Sequence, residues 1–153
     1  MNKKITIEII SALLALLFVY AAVSKLMNME VFRFQLSRAP YFGKFADLLA
    51  AILPVSELII VTLLLWSKTR YFALWASFIS MLVFTFYVSL LLLSGKHLPC
   101  TCGGLIQKLN WHQHLIFNIA FSVFALIGII LYRKQDHINQ PKLIEYHFSA
   151  KLD

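Results

Sequence analysis

Four runs of the chain, residues 5–24, 45–66, 71–93 and 111–132, are strongly apolar. At 1.5 Å per residue, each is long enough to cross roughly 30 Å of hydrocarbon as a helix. A span in lipid must satisfy its own backbone polar groups. Four such runs joined by short connections therefore confine the chain to an all-α fold, an integral membrane four-helix bundle. The composition agrees: 60% of residues are hydrophobic, 14% are charged, and the mean hydropathy is +0.76, far from a soluble balance. A net charge of +7 would point to nucleic acid in a soluble chain. Here the cations form no basic run and lie between the apolar runs, as membrane flanks do, so no nucleic-acid partner is expected. The lipid bilayer is the expected partner. No internal repeat, glycine-rich phosphate loop or serine nucleophile motif is present.

The spans define one domain, residues 1–134, followed by a polar tail, residues 135–153, that holds Pro141 and a few apolar residues from Leu143 to Phe148. The first run follows Lys3 and Lys4 and reaches Lys25. Val19 and Ala21 make a passable small-residue cleavage site, so a cleaved signal peptide is the alternative, but the run is longer than a typical signal core and ends in Lys25 without a small, turn-rich processing site, so it reads as a retained span. Between Lys25 and Gly43, Asn28 is placed to cap a short interfacial helix. That helix carries Met29, Phe32 and Leu36 on one face and Arg33 on the other, and ends at Pro40 and Gly43.

The second run contains Pro54 and Glu57, about one helical turn apart on one face. Pro54 removes a backbone donor and leaves the Ala50 carbonyl free, which predicts a kink. A carboxylate near mid-membrane costs at least about 2.5 kcal/mol unless it is neutral, paired or facing a wet cavity, so Glu57 is expected to face inward. It is either a neutral acid bonded to a neighbouring helix or a functional group. In the third run, Ser77, Ser80, Thr85, Tyr87 and Ser89 read as helix-packing residues. Its aromatics, among them Phe72, Trp75 and Phe84, read as packing and lipid contact.

Between the third and fourth runs lies PCTCGG, Pro99 to Gly104, which holds the two cysteines of the chain. One residue separates Cys100 from Cys102. A bridge between them would close a tight ring that departs from relaxed geometry, and a strained bridge is easily reduced. Gly103 and Gly104 free the backbone for close approach, while Pro99 turns Leu98 away from helix, so the cysteines sit on a turn. Asn110 and Gln113 resemble a capping box at the start of the fourth run. A short helical stretch is also expected over Leu105 to Leu109. Either N-terminus would stabilise a nearby thiolate. His114 and Asn118, four apart, share a face of the fourth span.

A pair so close implies a compartment where disulfides form. Eight of the fourteen cations (Lys3, Lys4, Lys68, Arg70, Arg133, Lys134, Lys142 and Lys151) fall on the side of the N-terminus, two of them in the very short second loop. The positive-inside rule then gives N-in and C-in, with the cysteines on the outer face of a bacterial inner membrane.

SKL at Ser24 to Leu26, PVSEL at Pro54 to Leu58 and CTCGG at Cys100 to Gly104 resemble the DoxX-like and MauE group of four-span membrane proteins. The resemblance covers roughly residues 1–134. It implies a role in making, reducing or isomerising disulfides in exported proteins, with an exported thiol/disulfide client. More loosely, it also resembles the four-helix vitamin K epoxide reductase arrangement, which implies a quinone as electron acceptor. CxC here stands in place of that reductase's CxxC, and there is no second, shuttle pair. Residues carried as support for Cys100 and Cys102 are Lys25, Pro54, Glu57, Gly103, Gly104, His114 and Asn118.

Three other readings compete with thiol exchange. The CxC bridge could simply tie the turn, although so short a loop restricts little unfolded-chain entropy. His97, Cys100, Cys102, His112 and His114 form a soft-ligand set for copper or zinc, at a spacing that matches no standard zinc pattern. Lastly, the chain could be a non-catalytic membrane subunit.

Overall fold

Lys3–Met27 fold as one helix, α1, rich in leucine, alanine and isoleucine and carrying Lys25 in its last turn, where a cation complements the helix dipole. There follow α2 (Met29–Arg38), a 3₁₀ turn (Gly43–Phe45), α3 (Ala46–Leu65), α4 (Arg70–Leu93) and α5 (Trp111–Ser149). The structure, a computed structural model, describes residues 3–38, 43–93 and 111–149, with the backbone alone for residues 91, 92, 111, 112, 114 and 136–149. No strand occurs among the described residues. Helices α1, α3, α4 and α5 are each long and apolar enough to cross a membrane, and the chain is a multi-pass membrane protein. The fourth helix does not stop with its apolar stretch, Leu115–Gln135, but continues to Ser149 for a total of 39 residues.

The inside and outside of the bundle are both apolar. Leu14, Phe18, Ile60, Leu64, Leu74, Met81, Ala125 and Ile129 are buried together, whereas Leu16, Ile59, Phe72, Phe86 and Ile130 are exposed. An outer belt of this kind belongs against lipid, where it costs nothing. Gly128 marks a close crossing. A Cβ placed there would lie 3.2 Å from both Ile10 Cγ2 and Leu74 Cδ2, so the first halves of α1 and α4 meet the second half of the α5 span. Helix α5 is thus antiparallel to both.

Several small polar groups in the spans are satisfied within their own helices. The hydroxyls of Thr62, Ser77, Thr85, Ser89 and Ser122 each donate to the carbonyl four residues earlier, at 2.7–2.9 Å. The tight turn between α3 and α4 is closed by Thr69 Oγ1, donating to the Leu63 carbonyl at 2.9 Å, and Arg70 Nε, donating to the Leu64 carbonyl at 3.3 Å. These two donors satisfy carbonyls left over at the end of α3.

At the opposite end α1 finishes, α2 folds over and α3 begins. Asn28, expected to cap α2, instead turns its side-chain amide back to donate to the Ser24 carbonyl at 3.2 Å, an acceptor exposed by the end of α1. Its own carbonyl accepts from Phe32 N–H at 2.9 Å, so the path from α1 into α2 is almost continuous. Phe32 is buried and Met29 and Leu36 are half-buried, while Arg33 is exposed and paired with Asp47 at the start of α3. Gly43 is required by close approach, since a Cβ there would come within 2.6 Å of the Ser37 carbonyl oxygen. Pro54 is buried inside α3, which remains helical on both sides of it.

Candidate functional site

Lys25 lies two residues from the end of α1, and Glu57 is the twelfth of the twenty residues of α3. Lys25 Nζ donates to Glu57 Oε1 at 2.6 Å, and both side chains are almost withdrawn from solvent, at 8% and 13% exposure. The ammonium also donates to the Ala21 carbonyl at 3.3 Å and sits 5.8 Å from the centroid of the Phe32 ring, within cation–π range. Three elements therefore hold one charge: α1 supplies it, α3 neutralises it and α2 covers it.

SKL and PVSEL, 32 residues apart, meet at this ion pair. The sequence marked Lys25 and Glu57 individually and showed that Glu57 must face inward. It did not show that they are partners. The available signal was charge balance: a lysine buried near the end of one span and a glutamate inside the next can share a level only if they neutralise each other. Pro54, on the preceding turn of α3, is fully buried. Glu57 uses a single oxygen in the pair, and its Oε2 has no hydrogen-bond partner among the described residues.

Asn118 lies on α5, 3% exposed, with Nδ2 also lacking a partner among the described residues. The Ser122 hydroxyl donates to its backbone carbonyl. Ser24, beside Lys25, is buried and its Oγ is without a partner. His114 belongs to α5, but its side chain is outside the described residues.

Cys100, Cys102, Gly103 and Gly104 lie outside the described residues, as do Pro99, Asn110, the 105–109 stretch and His97. The side chain of His112 is likewise undescribed. The structure does set the two points between which this segment runs. Leu93 ends α4 and Trp111 begins α5, both at the end of the bundle where α1 finishes and α3 starts. Lys25 therefore lies near the end of the bundle from which this segment leaves α4, and Glu57 lies just past the middle of α3. Among the described residues no group of three histidine, cysteine or acidic side chains could hold a metal ion.

Residues 3–131 fit the family described as methylamine utilisation protein MauE. No curated protein and no solved structure is significantly similar to the chain.

Proposed function

Because the chain belongs to the methylamine utilisation protein MauE family, we propose that it is a membrane thiol–disulfide redox protein that works through Cys100 and Cys102. The observation that carries this reading is the placement of the chain's two cysteines in CTCGG, between the third and fourth spans of a four-span bundle. Lys25, two residues from the end of α1, lies near the end of the bundle where α4 stops and α5 starts. The client is an exported protein. On the charge distribution the pair faces outward from a bacterial inner membrane, with both termini inside.

The chemistry balances without help from another side chain. When the chain acts as reductant, one cysteine thiolate attacks a client disulfide, forming a mixed disulfide and expelling the client's other sulfur as a thiolate that takes up a proton. The second cysteine then attacks the first, closing Cys100–Cys102 and releasing the client's remaining thiol. Two electrons pass to the client, and in reverse the same steps oxidise it. A quinone that accepts two electrons and two protons would return a dithiol pair to the disulfide.

Cys100, following Pro99, is the partner-facing sulfur, and Cys102, flanked by Gly103 and nearer α5, is the resolving one. Exchange with a bulky protein rewards access as well as thiolate fraction, and a lower thiol pKa also lowers nucleophilicity. The test is trapping. Cys102→Ser should accumulate a mixed disulfide through Cys100. Trapping in Cys100→Ser alone would reverse the roles, and activity retained by both variants without any trapped partner would defeat the mechanism.

A further inference from the structure

Ser24 Oγ, Glu57 Oε2 and Asn118 Nδ2 are buried without a hydrogen-bond partner among the described residues, and they come from three different helices. Register puts them near one level. Ser24 adjoins Lys25, which grips Glu57. Gly128 of α5 lies against Ile10 of α1, so ten residues back along antiparallel α5 corresponds to ten forward along α1. Asn118 therefore falls at the level of Tyr20, about one turn from Ser24. Ser11 Oγ, also without a partner, is thirteen residues from Ser24 along α1 and belongs to a different level.

The chemistry of these atoms defines an occupant. The free carboxylate oxygen can only accept and the amide nitrogen can only donate, while the hydroxyl can do either. Whatever completes them must give a hydrogen bond to Glu57 and take one from Asn118. Lipid does neither, and an unpaired polar group is costlier in a membrane than in water. Ser24 also forgoes the bond to its own helix that Thr62, Ser77, Thr85, Ser89 and Ser122 all make. We propose that Ser24, Lys25, Glu57 and Asn118 enclose internal water, a hydrated polar site between α1, α3 and α5. Water suits it because one molecule both donates and accepts and is held by two to four polar partners. This site would also give protons access to the Glu57 carboxylate. It does not depend on the thiol reading.

The test is X-ray radiolysis of the full chain in lipid nanodiscs made up in ¹⁸O-water, which oxidises side chains beside bound water. Phe32, 6% exposed and next to Lys25, is compared with Phe18, 4% exposed and in the apolar core. Phe32 should incorporate ¹⁸O several-fold faster than Phe18, and Asn118→Leu and Ser24→Ala should each reduce that excess. Asn118→Leu should also lower the unfolding temperature, because it takes a ligand from the water. Equal labelling of Phe32 and Phe18, a Phe32 excess unchanged in both variants, or a higher unfolding temperature for Asn118→Leu would show a dry site and overturn the proposal.

Discussion

Replacing Lys25 with Met should destabilise the bundle much more than its position near a helix end suggests, and replacing Glu57 with Leu should do the same. At 2.6 Å and an effective dielectric of about 20, the gross attraction is about 6 kcal/mol. Desolvation of the two ions offsets most of it. Removing one partner leaves the other buried and uncompensated, at a cost of about 3–5 kcal/mol. The double variant Lys25→Met, Glu57→Leu leaves no charge behind, so it should return to within about 1 kcal/mol of wild type or exceed its stability. The coupling energy across the cycle should thus be several kcal/mol, with each replacement rescuing the other. Reversible unfolding of the purified chain in bicelles measures all four corners. Single variants within about 0.5 kcal/mol of wild type, or a double variant as unstable as the sum of the singles, would refute the reasoning, since such values belong to an exposed ion pair.

Arg33 and Asp47 provide that contrast: their side chains are 60% and 73% exposed, and Arg33→Ala should cost less than about 1 kcal/mol in the same assay. Glu57→Gln should still fold but at reduced stability, since its amide oxygen can accept from Lys25 without supplying a countercharge, whereas Glu57→Lys sets two ammonium groups together and should reduce insertion or folded yield; equal tolerance of both would mean that residue 57 does not face Lys25. At the α1–α4–α5 crossing, Gly128→Ala asks Ile10 and Leu74 to yield by a few tenths of an ångström. Gly128→Leu should overpack the same crossing by about 1–3 kcal/mol, and an unfolding free energy unchanged in Gly128→Leu would contradict the close approach.

The four spans were legible because length and apolarity are local properties, and a bilayer admits few other folds for such a chain. The short helix after the first span was legible for a related reason, as the spacing of Met29, Phe32 and Leu36 marks a face. The Lys25–Glu57 pair was not legible. Periodicity tells which way a side chain points on its own helix, and nothing local relates α1 to α3. Lys25 also looked like the boundary of an apolar run, yet α1 continues to Met27 and the lysine is buried within the bundle against Glu57. Asn28 misled for another reason: an asparagine between two helices can serve either, and here both its backbone N–H and its side-chain amide donate to the Ser24 carbonyl at the end of α1. At the far end, hydropathy marks where the fourth apolar run stops but not where its helix does, since backbone hydrogen bonds continue into polar sequence as readily as apolar.

The central claim is that Cys100 and Cys102 form an exchange-competent pair on the outer face, and differential alkylation tests it most directly. Intact cells are treated with a membrane-impermeant, mass-tagged thiol reagent, with and without a brief mild reduction. The account predicts two tags after reduction, fewer before it, and a shift in that ratio when membranes are supplied with an oxidised client or a quinone. Tagging that requires permeabilised cells would contradict the topology, and a tagging pattern indifferent to reductant, client and quinone alike would contradict the redox function itself.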